Sequence, residues 1–202
     1  MKRSQDHFSR LAKQRGFPAR SVFKLQEMQD RFHLLRPGHS ILDIGAAPGS
    51  WSRLCLESLG ERTRVVAVDP VEVSFASRYG ERFRFVRGSI FDDAVQLTLA
   101  ALGPYDAVLS DAAPATSGAS LVDTEASLEI ARRVLELAAG SLKPGGNLVI
   151  KVFQGGTEAE LLRRMKGLFA RARAFKPAAC RRESRETYLL GFSYLHKNPK
   201  KT

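Results

Sequence analysis

The chain has 202 residues, of which 44% are hydrophobic and 26% are charged, and its formal net charge is +11. The length suits one domain with a single core, and the composition excludes a mostly disordered chain. No apolar run approaches the roughly 20 residues that cross a bilayer, no secretory signal is evident, and the two distant cysteines exclude a disulfide framework. We therefore expect a cytoplasmic monomer without a membrane partner, whose charge favours binding to nucleic acid.

The positive charge lies at the two ends of the chain. Residues 1–40 contain nine Lys and Arg against three Asp and Glu, and residues 160–202 contain twelve against three. Residues 41–159 contain eleven Lys and Arg against fifteen Asp and Glu. The charge and the pattern of elements together predict a basic N-terminal helical extension, a sheet domain and a basic tail, at residues 1–37, 38–196 and 197–202.

Helical and strand-like patterns alternate along the chain, after an N-terminal extension that is predicted to be helical over about 5–35. Short apolar runs predict strands at 40–45, 64–69, 82–88, 105–111, 146–153 and 186–195. Periodic segments predict helices at 50–59, 92–102, 122–140 and 157–171. This alternation indicates an α/β fold, with a doubly wound, mostly parallel sheet and helices on both faces. The third of these helices is expected to bury one stripe: Ala126, Ile130, Val134 and Leu137.

The first strand leads into a loop of small residues that opens a helix, over residues 43–51. Such a loop lets the backbone approach a ligand, and Asp69 at the end of the next strand can accept hydrogen bonds from ribose hydroxyls. The loop lacks the G-x-G-x-x-G and G-x-x-x-x-G-K patterns of dinucleotide and P-loop sites. We predict a nucleoside-containing cofactor held by Asp43, Gly45, Pro48, Gly49, Ser50, Trp51 and Asp69. The alternative is a strand–helix turn that merely requires glycine.

Four further motifs occur in a fixed order along the chain. They are Ala19-Arg20-Ser21-Val22-Phe23-Lys24-Leu25, Ser110-Asp111-Ala112-Ala113-Pro114, Val149-Ile150-Lys151-Val152-Phe153 and Ser184-Arg185-Glu186-Thr187-Tyr188. Together with the loop pattern D-x-G-x-x-P-G-x-W, which resembles the S-adenosylmethionine loop of class I methyltransferases, they resemble the K-D-K-E tetrad of the FtsJ-type RNA ribose 2′-O-methyltransferases. The catalytic residues would then be Lys24, Asp111, Lys151 and Glu186.

The resemblance implies a Rossmann-like class I methyltransferase fold and a specific reaction. S-adenosylmethionine would be converted to S-adenosylhomocysteine without a metal ion. Within the family, the resemblance is strongest to bacterial enzymes that methylate a uridine ribose in the A-loop of 23S ribosomal RNA. Ribosomal RNA in the large subunit is therefore the expected substrate. A non-catalytic RNA-binding assembly factor, a 2′-O-methyltransferase for another RNA such as a cap, and a methyltransferase for protein or small molecules are the alternatives.

The roles of the four residues follow from what a ribose hydroxyl needs. A 2′-hydroxyl is a poor nucleophile until a base removes its proton, and Lys151, which interrupts an apolar strand, is the candidate base. A second cation nearby, Lys24, would favour the neutral amine that a base requires. Asp111 would orient the amine and also contact the cofactor, and Glu186 would hold Lys24 or the ribose. Which lysine is the base remains open at this point.

One position departs from the family pattern. The family has an aspartate after the glycine that follows the third strand, where it contacts the adenine amino group. Here Gly88 is followed by Ser89, and Asp92 lies three residues further on. Either Ser89 or Asp92 would make that contact.

Basic residues adjoin two of the four motifs. Arg20 lies four residues before Lys24, so the two are expected to share a helix face. Three more arginines, Arg181, Arg182 and Arg185, precede Glu186. These five residues are the predicted RNA-binding set, because arginine and lysine bind phosphates.

Overall fold

Strands and helices alternate along the part of the chain that the computed structural model describes, residues 7–114, 119–155, 158–181 and 183–195. The helices of these ranges are α1 His7–Gln14, α2 Val22–Phe32, α3 Ser50–Ser58, α4 Asp93–Leu102, α5 Ser120–Ser141 and α6 Glu158–Leu168, with a 3₁₀ helix at Ala76–Arg82. The strands are β1 Ser40–Ile44, β2 Arg64–Asp69, β3 Phe83–Arg87, β4 Tyr105–Ser110, β5 Leu142–Phe153, β6 Phe169–Phe175 and β7 Glu186–Tyr194.

The strands form one sheet in the order β3-β2-β1-β4-β5-β7-β6. The first five strands are parallel, and β7 runs antiparallel to both β5 and β6. This arrangement confirms the predicted mostly parallel α/β sheet. Within it, β7 lies between β5 and β6, although it follows both of them in the chain.

The strand register brings the candidate residues to one edge of the sheet. Ile44 in β1 lies opposite Val68 in β2 and Ser110 in β4, and Ser110 lies opposite Ile150 in β5. The next residue in each strand or loop is therefore at the same level. These next residues are Gly45, Asp69, Asp111 and Lys151. Ligands bind at this carboxyl edge in open α/β sheets.

Each face of the sheet is covered by helices. On one face α4, α5 and α6 contribute Leu99, Leu135 and Met165 to the core, and on the other α2 and α3 contribute Leu25, Met28 and Cys55. All six side chains are fully buried. No helix of the described ranges is both long and apolar enough to cross a membrane.

The predicted buried stripe of α5 is only partly correct. Val134 is fully buried, but Ala126, Ile130 and Leu137 are half-buried. The core side of α5 is formed by Leu128, Ala131, Val134, Leu135 and Ala138. Both sets of residues have helical spacing, because the apolar surface of this helix is wide. Periodicity alone therefore could not distinguish the edge of that surface, which was predicted, from its centre.

One helix prediction was too long. The last helix was predicted to extend to 171, but α6 ends at Leu168 and β6 follows at once. Alanine and arginine alternate in β6, and both are strong helix formers. Their propensity therefore predicted a helix where the structure has an exposed edge strand. The N-terminal segment predicted to be helical over about 5–35 contains two helices, α1 and α2, with a left-handed φ of 74° at Gly16 between them.

The loop after β1 packs directly on the loop after β4. Gly45 has a φ of 73°, and a Cβ atom placed on it would lie 2.5 Å from the Cα of Ala112. Only glycine fits this position, because the obstruction is backbone that cannot rotate away. The contact holds the predicted cofactor loop beside Asp111.

Gly45→Ala should destabilise the protein more than Gly60→Ala. Gly60 has a similar φ of 79° but open space around its Cβ position, so it controls for backbone strain. We expect Gly45→Ala to lower the free energy of unfolding by about 1–3 kcal/mol more than Gly60→Ala, the usual cost of overpacking. Urea unfolding of both variants measures this difference. Equal losses would contradict the close approach of the two loops.

Candidate active site

Two buried lysines at the carboxyl edge of the sheet each have a carboxylate partner. The Nζ of Lys24 lies 2.8 Å from Oε2 of Glu186, and the Nζ of Lys151 lies 3.2 Å from Oδ1 of Asp111. Each lysine side chain is only 9% exposed. Burying an unpaired charge is very costly, so the two ion pairs are what allows both lysines to be here. The structure thus brings the four predicted catalytic residues together as two pairs.

Tyr188 joins the two pairs. Its hydroxyl donates a hydrogen bond of 2.7 Å to Oδ1 of Asp111, and its ring centroid lies 5.8 Å from the Nζ of Lys24. Burial, followed by the negative charge of Asp111, raises the pKa of Tyr188 well above its usual value, so the phenol remains a donor. Sequence reasoning missed this role. The available signal was its position two residues after Glu186 in a strand, which places both side chains on one face.

Lys151 makes a second contact with Asp111. Its Nζ also donates to the backbone carbonyl oxygen of Asp111. The amine is therefore held by two acceptors of one residue, at the end of β4. Lys151 also lies directly opposite Tyr188 in the β5–β7 pairing, so the same strand pair places both partners of the Asp111 carboxylate.

A cavity of about 610 Å³ opens beside these pairs. Four of the predicted cofactor residues line it: Gly45, Asp69, Ser89 and Asp111. Ile90, Phe91 and Ile130 add apolar surface. Its volume lies within the roughly 300–1,000 Å³ of small-molecule sites, and a mainly apolar wall with few polar groups is typical of them. The lining therefore fits a nucleoside that carries a short polar chain.

The Asp69 carboxylate fixes the loops at the mouth of this cavity. Its Oδ2 accepts a hydrogen bond of 3.0 Å from the N–H of Ala47, and its Oδ1 accepts one of 2.8 Å from the N–H of Val71. An ionised carboxylate has about four acceptor positions. Asp69 can therefore hold both loops and still accept hydrogen bonds from ribose hydroxyls.

The two candidates for the adenine contact are placed differently. Ser89 lines the cavity, whereas Asp92 is not among the lining residues. The Oδ2 of Asp92 accepts a hydrogen bond of 3.2 Å from the N–H of Ser89. The geometry thus favours Ser89 as the residue at the cofactor, with Asp92 holding its backbone.

Ser50 and Trp51 were predicted to bind the cofactor, but they do not line the cavity. Both are buried and hold the segment before α2. The Oγ of Ser50 accepts a hydrogen bond of 2.9 Å from the N–H of Ala19, and the Nε1 of Trp51 donates one of 2.8 Å to the carbonyl oxygen of Ser21. The start of α3 therefore positions the segment that carries Lys24.

Three other predicted cofactor residues also lie outside the lining. Pro48 is exposed, and Gly49 begins α3 beneath Phe75, whose Cε1 would lie 2.0 Å from a Cβ on Gly49. Asp43 is 1% exposed, and its Oδ2 accepts a hydrogen bond of 2.6 Å from the Oγ of Ser52. Its Oδ1 has no hydrogen-bond partner among the described residues.

A second cavity, of about 420 Å³, is bordered by the Lys24–Glu186 pair. Arg20 and Arg181 line it together with that pair. Arg20 does not share a helix face with Lys24, because α2 begins only at Val22. Both side chains nevertheless reach the same cavity.

Two predicted RNA-binding residues lie outside this cavity. Arg185 is exposed and does not line it. Arg182 lies outside the described residues. The described residues contain no group of three or more His, Cys, Asp or Glu that could hold a metal ion.

Comparison with known proteins gives the family. The model of the FtsJ-like methyltransferases matches residues 17–194. The chain belongs to the FtsJ-like methyltransferase family. It is 46% identical over 189 residues to the ribosomal RNA large subunit methyltransferase E of Treponema denticola, with 94% of each chain covered. It is 40% identical over 192 residues to the protein of the same name from Desulfosudis oleivorans, covering 95% of this chain and 92% of the relative.

Solved structures of other methyltransferases share the fold. A Plasmodium falciparum protein described as a ribosomal RNA methyltransferase superposes with a TM-score of 0.78 at 26% identity, covering 90% of this chain and all of that one. Human methyltransferase-like protein 13, bound to S-adenosylhomocysteine, superposes at 0.58 with 15% identity, covering 90% of this chain and 80% of that one. The fold of this FtsJ-like chain is therefore the predicted Rossmann-like class I methyltransferase fold.

Asp43 should make the stability of this FtsJ-like methyltransferase depend on pH. Burial raises the pKa of its carboxyl from 3.8 to about 7, against the opposing hydrogen bond from Ser52. The folded state then keeps a proton that the unfolded chain has lost, so the free energy of unfolding falls as the pH rises from about 4 to about 7.

Asp43→Asn should remove this pH-dependent fall in the free energy of unfolding, because an amide does not ionise. The difference between the free energies of unfolding of the variant and the parent, measured with urea, should grow by about 2–3 kcal/mol in favour of the variant between about pH 5 and about pH 8. Asp30→Asn, an exposed site on α2, is the control and should follow the parent. A parent and an Asp43→Asn variant with parallel pH curves would show that the carboxyl ionises normally.

Tyr188→Phe should impair methyl transfer as well as stability. The substitution removes one hydrogen-bond donor to the carboxyl group of Asp111, and a hydrogen bond to a charged group contributes about 1.5–3 kcal/mol. Tyr105→Phe is the matched control, because Tyr105 is equally buried and donates a 2.7 Å bond to the neutral carbonyl of Leu99. Turnover should fall only in Tyr188→Phe. If both variants lose turnover equally, the tyrosine acts through general packing.

Proposed function

We propose that the protein transfers a methyl group from S-adenosylmethionine to a ribose 2′-hydroxyl of RNA in the large ribosomal subunit. The observation that carries this proposal is the Lys151 amine, held by two oxygens of Asp111 where that residue lines the cofactor-sized cavity. The names of the relatives support ribosomal RNA as the substrate. The finer target, a uridine in the A-loop of 23S RNA, is supported by the sequence resemblance alone.

The cofactor site is assigned from the lining of the 610 Å³ cavity. Asp69 would accept hydrogen bonds from the cofactor ribose, and Ser89 would lie at the adenine. Ile90 and Phe91 would provide apolar contacts for the base. When bound, S-adenosylmethionine supplies a methyl group on a positively charged sulfur, so no residue of the chain has to form a covalent bond with the methyl group.

The contacts of Lys151 support its assignment as the base. A neutral amine has two N–H donors and one lone pair. The Oδ1 and the backbone oxygen of Asp111 can accept the two N–H groups. The lone pair is then the group that remains for the 2′-hydroxyl proton. Asp111 would thus orient the amine of Lys151 once the ammonium has lost a proton.

The Lys24–Glu186 pair is assigned to the ribose. Among the described residues Lys24 has one acceptor, Oε2 of Glu186, so its amine would retain donors for oxygen atoms of the nucleotide. Both residues line the 420 Å³ cavity together with Arg20 and Arg181. RNA would enter from that side, with its phosphates near the two guanidinium groups. A target in a loop or splayed strand exposes the 2′-hydroxyl best.

Orientation and proton removal account for the expected rate. Alignment of the hydroxyl oxygen with the methyl group can supply up to about 7–11 kcal/mol of the barrier. A positioned base typically contributes about 10²–10⁴-fold. Removal of Lys151 should therefore lower turnover strongly and leave cofactor binding nearly unchanged.

Lys151→Met tests this assignment. Each variant is incubated with tritiated S-adenosylmethionine and large subunits that lack the modification, and the modified position is located by its resistance to alkaline cleavage. We expect turnover of Lys151→Met to fall by at least about 10²-fold, because the base is lost and the volume is kept. Lys143→Met is the control, since Lys143 also lies in β5 and is paired, with Asp106 at 2.9 Å, but at the other end of the strand.

Three results would contradict the proposal. Label in a base instead of a ribose would exclude 2′-O-methylation. Undiminished label in Lys151→Met would exclude Lys151 as the base. Specific binding of subunits by the parent without any label would indicate an RNA-binding assembly factor.

A further inference from the structure

A group of arginine and phenylalanine side chains lies beside the active site, on the face of the sheet that α2 covers. We call it the arginine strip, and it consists of Arg31, Phe32, Arg171, Arg173, Phe175 and Phe192. Each guanidinium stacks over a ring. The distances from guanidinium carbon to ring centroid are 4.6 Å for Arg171 over Phe192, 5.1 Å for Arg173 over Phe32 and 5.2 Å for Arg31 over Phe175.

The charges of the strip are not neutralised within the described part of the chain. Arg31, Arg171 and Arg173 are exposed, and none of them forms an ion pair or a hydrogen bond with a described residue. Stacking uses the face of a guanidinium and leaves its N–H groups, at the edge, for other acceptors. The strip therefore presents three positive groups, already held in place, whose donors face solvent.

The strip begins at the active site. In the β6–β7 pairing Phe175 lies opposite Tyr188, which binds Asp111. Arg173 and Arg171 follow two and four residues further along β6. At about 3.3 Å per strand residue, Arg173 and Arg171 lie roughly 7 and 13 Å along β6 from Phe175. The positive charge thus runs from the proposed reaction centre down the edge of the sheet.

We propose that the arginine strip binds the sugar–phosphate backbone of the substrate RNA next to the target nucleotide. The inference rests on the proposed function, because it assumes that the target ribose lies at Lys151. The guanidinium edge matches two phosphate oxygens at once, and the exposed face of a stacked guanidinium can receive a base. The strip thereby extends the RNA-binding surface beyond the cavity that Arg20 and Arg181 line.

A purely structural role predicts a different behaviour. β6 is an edge strand, and charged side chains on such strands prevent pairing with other chains. If the arginines do only this, their removal lowers solubility or stability and leaves RNA affinity alone. The salt dependence of RNA binding separates the two roles, since it counts the phosphate contacts that are lost.

The test compares two double variants with equal charge change. Arg171→Gln/Arg173→Gln removes two members of the strip, and Arg163→Gln/Arg164→Gln removes two exposed arginines of α6, which packs on the other face of the sheet. The dissociation constant for large-subunit RNA is measured over a series of KCl concentrations. KM and kcat for methylation of large subunits are measured in parallel.

We expect the strip variant to reduce the slope of log affinity against log salt by about 1.4–1.8, at about 0.7–0.9 per lost phosphate contact. KM for the subunit should rise about tenfold or more, with a smaller effect on kcat. The α6 variant should match the parent. Arg171→Lys/Arg173→Lys, which keeps the charge but not the planar fork, should retain the salt slope and give an intermediate KM.

A strip variant with the slope and KM of the α6 variant would overturn the inference. So would a variant that loses only solubility or stability. Failure of the proposed function looks different, because the parent itself would then leave the ribose unlabelled. The salt slope is measured by binding, so it tests the strip in either case.

Discussion

Two ammonium groups that are nine-tenths buried need negative partners, and this requirement organises the carboxyl edge of the sheet. Asp111 and Glu186 provide those partners from two strands, and Tyr188 ties one pair to the other. Removing one member of either ion pair leaves the charge of its partner uncompensated, which costs about 3–5 kcal/mol for a buried pair. The electrostatic cost is therefore what fixes the positions of the side chains that are proposed to act on the ribose.

Packing contacts and hydrogen bonds outside the ion pairs hold this cluster in place. Gly45 lets the loop after β1 lie against Ala112, beside Asp111. Ser50 and Trp51 bind the segment before α2, so the helix that follows the cofactor loop also positions Lys24. A change at the predicted cofactor loop is therefore expected to reach Lys24 through the start of α3.

The sequence predicts the parallel sheet correctly because its strands are short apolar runs, and the four candidate residues that its motifs single out lie together in the structure as two ion pairs. What it could not predict depends on tertiary contacts. β6 resembles a helix because its alanines and arginines favour one, and only pairing with β7 makes it a strand. Ser50 and Trp51 match the cofactor motif by position, but their hydrogen bonds go to the N-terminal segment. Tyr188 has no motif of its own.

The order of strands has a consequence for synthesis of the protein. β7 is the last of the described strands, yet it lies between β5 and β6, and it carries Glu186, which pairs with Lys24 across 162 residues of sequence. Contacts so distant in sequence form slowly, because a long loop must close first. Until β7 has left the ribosome, β6 has no neighbouring strand and Lys24 no carboxylate. The Lys24–Glu186 pair, and the proposed ribose site with it, can therefore assemble only after β7 has been synthesised.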